Sequence, residues 1–373
     1  MNILTVSNYY PEHPGGVEFV AKNLVERWRN RHRVRWMASD ISSHPHQHQI
    51  DDVQLPATNL IEVRLGFPYP IPIPIALKRI FEEVRHCDVV HLHDCLYIVN
   101  FFTFFAAQLY RKPVLVTQHI HEIPYKEAYK NILQKLAYNI LGKWILQNAN
   151  QVVFISERIK KSFENRFVFR RPPLLIPNGI DKNLFYPPKS NEIDIIQLKN
   201  KRTENERQLI FVGRFTHKKG LGLIREIAIA RPRWHWWLIG NGELNPNTWQ
   251  LDNIEVIEPL PQKQLRLYYL AADLFVLPSI GEGFPLVAQE SLACGLPVAL
   301  SSETTSNFPT APMISLDVSD LENTIRVLEE TLNNFIKLNQ MRVDAAKFAS
   351  QWDWDKVAQQ YEGIFHSLNV QHS

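Results

Sequence analysis

Short apolar runs alternate along most of the chain with stretches whose apolar residues recur every three or four positions. Residues 3–6 read as a strand, Pro14-Gly15-Gly16 as a break, and residues 17–28 as a helix with one apolar stripe. Strands are predicted at 33–37, 62–65, 89–92, 114–117 and 152–155, and helices around 75–84, 96–110 and 127–147. Strands that are apolar throughout, separated by helices, point to a parallel sheet covered on both faces.

The alternation stops at residues 186–207, which are polar, charged and opened by prolines, as a linker or surface excursion would be. It restarts with strand LIFV at 209–212, a helix over KKGLGLIREIAIA, and strands at WHWWLIG and IEVI. A helix to Ala272, strand LFVLP, a helix through Glu290 and strand PVAL complete that half. One long helix is expected over 321–348, and a last one, near 354–368, is expected to return to the first half. Two α/β domains result, with the cleft between them as the default binding site.

Composition narrows the class. The 373 residues suit two domains at about 150 residues each, and 45% apolar with 21% charged residues describe a folded chain. Forty-one Lys and Arg against thirty-eight Asp and Glu leave +3, too little for a dedicated nucleic-acid binder. Cys87, Cys95 and Cys294 form no CxxC pair, so no disulfide framework is expected and a reducing, cytoplasmic compartment is the simplest reading. No run reaches the roughly 18 apolar residues of a membrane span, and the opening MNILTVS reads as a buried strand rather than an export signal.

Several common motifs are missing. No G-x-G-x-x-G follows the first strand, and there is no P-loop, no G-x-S-x-G elbow and no H-E-x-x-H pair. His121-Glu122 runs on into Ile-Pro-Tyr, where the proline would break the helix that a zinc motif needs.

The strongest positive signal is LPSIGEGFPLVAQESLACGLPV, residues 277–298. Glu282 and Glu290 have seven residues between them, around a Gly-Phe-Pro turn that opens a helix, with Pro285 expected in the first helical turn. Free N–H groups at the helix start suit a phosphate, and the two carboxylates suit sugar hydroxyls. The plainer alternative is a surface helix with two solvated glutamates. A second signal is GRFTHKKG, Gly213 to Gly220, directly after a strand. Arg214 and Lys219 could clamp a diphosphate there, or the loop could simply be a basic helix cap.

Together with PGGVE, DVVHLHD, PVLVTQH, IPNGID, VGR and IGNGE, these passages resemble the retaining glycosyltransferases of family 4, the "group 1" enzymes. The resemblance runs over nearly the whole chain. It implies an α/β protein of GT-B fold, two Rossmann-like domains facing each other across a cleft. The first, acceptor-side domain would be residues 1–185 plus a C-terminal helix, 352–373, crossing back to it. The linker would be 186–207, and the nucleotide-sugar-binding domain 208–351.

Residue by residue, the resemblance implies a diphosphate site at Arg214 and Lys219 beside Gly213, and places Glu282 near the donor sugar. The backbone of Gly283, Phe284 and Leu286 would lie near sugar and phosphate, and Glu290 would hold the ribose hydroxyls. Gly15 and Gly16 match a glycine loop that approaches the donor phosphate, and His119 a histidine facing the donor sugar and reaction centre. Pro285 departs from the glycine of many relatives and removes a backbone donor, which bears on sugar selectivity. The implied activity is transfer of a hexosyl group from a UDP- or GDP-sugar to an acceptor hydroxyl, without cofactor or metal. Glycolipid, lipid-linked oligosaccharide or exopolysaccharide synthesis is the implied setting. Two rivals share the architecture. A GT-B epimerase or phosphorylase is disfavoured by the full motif set, and a non-catalytic binding module by the presence of Arg214, Lys219 and Glu290.

Other features keep two readings each. HPHQHQ (His44, His46, His48) reads as a solvated loop before a metal tract. His91 and His93 read as structural histidines, with His93 the one that could touch a ligand. GFPYPIPIPIA reads as extended polyproline-type chain, either an acceptor-side loop or a stiff connection. Residues 126–171 hold ten Lys or Arg against three Glu, +7, leaving −4 for the rest. Within them Tyr129, Ile132, Leu133, Leu136, Ile140, Leu141, Trp144 and Ile145 recur at helical spacing, with Lys130, Lys135 and Lys143 elsewhere around the helix. This is either a core stripe with a basic exterior or a surface for an anionic bilayer, peripheral to the inner face of the plasma membrane.

Overall fold

The computed structural model describes residues 1–11, 16–41, 51–65, 69–120, 127–189, 206–282, 285–306 and 310–370. The chain forms two compact units, Met1–Gly179 with Trp354–Ser373, and Ile180–Asp353.

The first unit opens with β1 (Asn2–Val6), α1 (Gly16–Trp28), β2 (Arg33–Ser39), β3 (Asp52–Leu55) and β4 (Ala57–Thr58). It continues through α2 (Leu60–Leu65), β5 (Ile71–Pro72), α3 (Pro74–His86), β6 (Val89–His93), α4 (Ile98–Leu109) and β7 (Val114–Gln118). After α5 (Ala128–Ala137) comes a π-helical turn, Tyr138–Gly142, then α6 (Lys143–Asn148), β8 (Gln151–Phe154), α7 (Glu157–Glu164) and β9 (Leu174–Leu175). The main sheet has the order β3-β2-β1-β6-β7-β8-β9 and its pairs run parallel. Strands β6, β7 and β8 are buried at every position and β1 at all but its first, because helices cover both faces. Strand order reverses beside β1, so the carboxyl ends of β1 and β6 open a crevice of the kind that binds ligands in such sheets.

The second unit repeats the plan: β10 (Arg207–Val212), a 3₁₀ turn at His217–Lys219, α8 (Leu221–Ala230), β11 (Trp234–Ile239), β12 (Ile254–Ile257), α9 (Gln262–Ala271) and β13 (Leu274–Leu277). Then follow α10 (Leu286–Ala293), β14 (Val298–Ser301), α11 (Ser302–Thr305), β15 (Met313–Leu316), α12 (Leu321–Asn333) and α13 (Phe335–Ala349). Its sheet, β12-β11-β10-β13-β14-β15, is again parallel and again reverses at its first strand.

The last helix, α14 (Trp354–Val370), belongs to the first unit. It packs on α1, where the fully buried Trp28 donates its indole N–H to Ala358 O (3.1 Å) and stacks edge-on against Phe365 and Tyr361. A buried aromatic of this size stabilises by about 1.5–3 kcal/mol relative to exposure, so the return of the chain is held by packing, with Arg27–Asp355 (2.7 Å) at the rim.

Several expectations are corrected. Residues 62–65 lie in a helix, α2, and the edge strand is β3 instead, where Val53 and Leu55 alternate inward. The helix expected over 321–348 is two. Asn334 ends the first and caps the second, its side-chain oxygen accepting from Lys337 N at 3.0 Å. Gly220, in the left-handed region at φ 79°, likewise splits the predicted KKG helix into a 3₁₀ turn and α8. The first unit ends at Gly179 rather than 185, and the chain rejoins it at Trp354 rather than 352. Phe185 and Tyr186 already pack on the second unit, Phe185 against Tyr269 and Tyr186 beneath the Arg266 guanidinium. Residues 190–205 of the expected linker, and His44, His46 and His48, lie outside the described residues.

The apolar stripe of 129–145 is mostly not core. Ile145 is buried, and Trp144 packs on Phe101 and Phe104. Tyr129, Ile132, Leu133, Leu136, Ile140 and Leu141 are instead 36–67% exposed. The π-helical turn turns Tyr138 inward, and Gln134 rather than a leucine fills the buried position of α5.

Candidate active site

The expected site residues gather near strand ends: Arg214, Lys219 and Glu282 follow β10 and β13, the strands that flank a reversal of order, His119 follows β7, and Glu290 lies on α10. In the second unit Gly213 ends β10, and Gly240 ends the neighbouring β11 so closely that a Cβ there would lie 2.0 Å from Gly213 O. Gly220 is pressed against the turn after β13, where a Cβ would meet Pro278 O at 2.3 Å. That approach joins the loop carrying Arg214 and Lys219 to the loop carrying Glu282. Gly281, at φ 69°, makes the turn before Glu282, and its N–H donates to the Glu303 carboxylate (3.1 Å).

Lys219 Nζ reaches Glu282 Oε1 at 2.7 Å, and both side chains are largely buried. Burial alone would raise the Glu282 carboxyl, but Lys219, Lys218 and Arg214 outweigh it and hold the group below the ordinary carboxylate range. Arg214 is exposed and has no ion-pair partner among the described residues. Burial pushes the Lys218 amine down, with Lys219 and Arg214 acting in the same direction. Three cations set against the Glu282 and Glu303 carboxylates leave net positive charge for an anion.

Glu290 is buried on α10, not solvated. Its Oε1 accepts from Gln262 Nε2 and its Oε2 from Tyr269 OH, each at 3.3 Å. Burial raises its carboxyl to about 8 against both hydrogen bonds. Pro285 is the N-cap of α10 rather than part of its first turn, and Ala288 N already donates to Pro285 O. The N–H groups left without a helical acceptor are therefore those of Leu286 and Val287. Gly283 and Phe284 lie outside the described residues.

In the first unit His119 follows β7 and is 4% exposed. Its backbone N–H donates to Asp94 Oδ1 (2.8 Å), as does that of Ile120 (3.4 Å). Asp94 follows β6 at φ 63°, and burial raises its carboxyl to about 7 against these two bonds. His91 and His93 are wholly buried, as structural histidines would be, and His93 Nδ1 lies 2.9 Å from His119 Nε2. Gly16 opens α1 with space around it, and Gly15 lies outside the described residues. Tyr269, Gln262, Asp94 and His93 hold site residues in place, and sequence reasoning did not assign them that part. The only signal for Asp94 and His93 was their place in DVVHLHD. Among the described residues no group of three His, Cys, Asp or Glu side chains converges as a metal site would.

Two parallel sheets, each reversing at its first strand and each bearing polar residues at the strand ends, define the GT-B fold. Anabaena Alr3699/HepE, solved in complex with UDP and glucose, shares it at a TM-score of 0.77 and 17% identity, over 98% of this chain and 100% of that one. Residues 14–184 match the family described as Glycosyltransferase Family 4, and residues 206–311 that described as Glycosyl transferases group 1. The D-inositol 3-phosphate glycosyltransferase of Thermobispora bispora is 26% identical over 319 residues, 77% of this chain and 72% of that one. The N,N'-diacetylbacillosaminyl-diphospho-undecaprenol alpha-1,3-N-acetylgalactosaminyltransferase of Campylobacter jejuni is 24% identical over 308 residues, 78% and 81% of the two chains. The chain belongs to the family 4, group 1 glycosyltransferases.

Proposed function

We propose that the enzyme transfers a sugar from a nucleoside diphosphate sugar to an acceptor hydroxyl with retention of anomeric configuration. The observation that carries this reading is the Lys219–Glu282 pair beside the open Arg214, with the free N–H groups of α10 and buried Glu290 close by in sequence and fold. Arg214, Lys219 and the helix start would take the diphosphate. Glu290 would hold the ribose hydroxyls, Glu282 and His119 the sugar. The bond from the anomeric carbon to the phosphate oxygen breaks, leaving an oxocarbenium-like sugar and a diphosphate of greater charge. The acceptor oxygen then bonds to the same face of that carbon, and its proton passes to the departing phosphate oxygen. Catalysis rests on charge stabilisation and placement, without a protein nucleophile. A UDP-sugar donor is the first to test, since the HepE structure holds UDP and glucose.

The cationic loop and helix start fill the part that a divalent metal plays elsewhere, so activity is expected to persist in EDTA. Proton NMR of the sugar freed by slow donor hydrolysis in EDTA tests both points. An α-linked donor is expected to yield the α-sugar first. The β-sugar first would mean inversion, and complete loss restored by magnesium or manganese would mean a metal enzyme.

The exposed stripe of α5 and the turn after it supports an anionic membrane face as the place of work. Six apolar side chains lie in water beside the exposed Lys135 and Lys143, on the segment of net charge +7. The Campylobacter relative, by its name, acts on an undecaprenol-linked sugar, and a lipid-linked acceptor would suit such a surface. Each basic residue near the surface should contribute about 1 kcal/mol, screened over about 8–10 Å at 0.1–0.15 M salt. Co-sedimentation with liposomes should rise with anionic lipid and fall with sodium chloride. Changing Ile132 and Leu136 to Ser, or Lys130, Lys135 and Lys143 to Gln, should weaken it without unfolding the protein. A protein that stays in the supernatant at low salt on strongly anionic vesicles would point to a soluble acceptor.

A further inference from the structure

Three histidines meet at the ends of β6 and β7, and their hydrogen bonds can be assigned by what burial permits. Thr117 Oγ1 donates to Tyr361 OH (3.0 Å), so it must accept from His91 Nε2 (2.8 Å), which therefore carries the His91 proton. His91 Nδ1 is then an unpaired lone pair. The rings of His93 and His119 lie nearly parallel, with His93 Nδ1 2.9 Å from His119 Nε2, and one of the two must donate. His93 Nε2 is buried without a partner among the described residues. Were His119 the donor, His93 would carry its proton on Nε2, as a buried N–H with nothing to accept it. A buried donor without a partner is rarer and costlier than a buried acceptor without one. Both rings are neutral, since burial pushes His119 down to about 3 and His93 well below the ordinary range.

We infer that His93 is a positioning residue that donates from Nδ1 to His119 Nε2 and thereby fixes His119 as the Nδ1–H tautomer. His119 Nδ1 has no hydrogen bond among the described residues. It thus meets its ligand as a hydrogen-bond donor, suited to an oxygen of the sugar or of the departing phosphate, and not as a base. Asp94 holds the backbone of the same residue, so ring and main chain are fixed by separate partners. The inference rests on the proposed role of His119 only for its catalytic consequence; the tautomer itself follows from the hydrogen bonds.

Long-range proton–nitrogen NMR on the full chain, labelled in histidine and read at neutral pH, tests it. His119 signals are assigned by their loss in His119→Gln. The proton is expected on His119 Nδ1 in the wild type. It is expected to spread over both nitrogens in His93→Leu and to stay on Nδ1 in His93→Asn, whose amide can still donate. With a working donor, His93→Leu should lower kcat at least fivefold with little change in KM, and His93→Asn should recover most of it. A wild-type proton on Nε2, or an Nδ1–H form unchanged in His93→Leu, would overturn the inference. Absence of transfer by the wild type with every donor would overturn the proposed function and leave the tautomer standing.

Discussion

Lys219→Ala and Arg214→Ala are each expected to lower kcat/KM for the donor at least tenfold, about 1.4 kcal/mol of transition-state stabilisation. Both side chains are placed to face a diphosphate that gains charge as the sugar leaves, so their worth is greatest when the bond is breaking. The two variants should differ in stability. Lys219→Ala leaves the largely buried Glu282 carboxylate without its 2.7 Å partner, a loss that raises the Glu282 carboxyl and lowers the melting temperature. Arg214 is exposed and without an ion-pair partner among the described residues, so Arg214→Ala should melt as the wild type does. Lys219→Arg keeps the charge and recovers activity only in part, since a planar fork does not replace a point charge at that distance. Steady-state kinetics beside a thermal melt would separate the two effects, and wild-type kcat/KM in both alanine variants would remove the loop from the site.

Gly220→Val is expected to disable the second unit more severely. The residue sits at φ 79°, where a β-branched side chain is strained, and its Cβ would lie 2.3 Å from Pro278 O and 2.7 Å from Pro278 Cγ. Backbone strain of about 1–3 kcal/mol adds to overpacking of about 1–3 kcal/mol, together a large part of a stability of roughly 5–15 kcal/mol. The melting temperature should fall by roughly 4–24 °C if the variant folds, at about 2–4 °C per kcal/mol. Gly222→Ala is the control. It lies inside α8 with open space around it, and Ala favours helix by about 1 kcal/mol over Gly. Equal melting of Gly220→Val and wild type would show that the approach of the two loops is not needed.

Strands such as β6, β7 and β13 were legible in the sequence because burial on both faces leaves an unbroken apolar run that no surface segment needs. β3 and β15 were not, since each is a short edge strand whose two buried residues make a weak alternation. Residues 62–65 read as a strand for the matching reason. Four residues cannot separate a period of two from one of 3.6, and only Val63 N donating to Asn59 O settles the matter. Periodicity also could not decide between core and surface for the stripe of α5, because amphipathicity says that two faces exist and not what covers the apolar one.

The candidate site divides in the same way. The spacing of Glu282 and Glu290 and the basic loop at Gly213–Gly220 were legible because local turn chemistry sets both. The Lys219–Glu282 pair, the burial of Glu290 under Tyr269 and the bond between His93 and His119 depend on partners far apart in sequence. The register that sets His93 beside Thr117 decides which histidines meet, and no local pattern records it.

The measurement that bears most directly on the central claim is release of nucleoside diphosphate from a panel of UDP-, GDP- and ADP-sugars, with wild type and Lys219→Ala side by side. Slow release from one donor class without acceptor is expected, with a rate at least tenfold lower in the variant. No release from any donor, or equal rates in the two proteins, would contradict it.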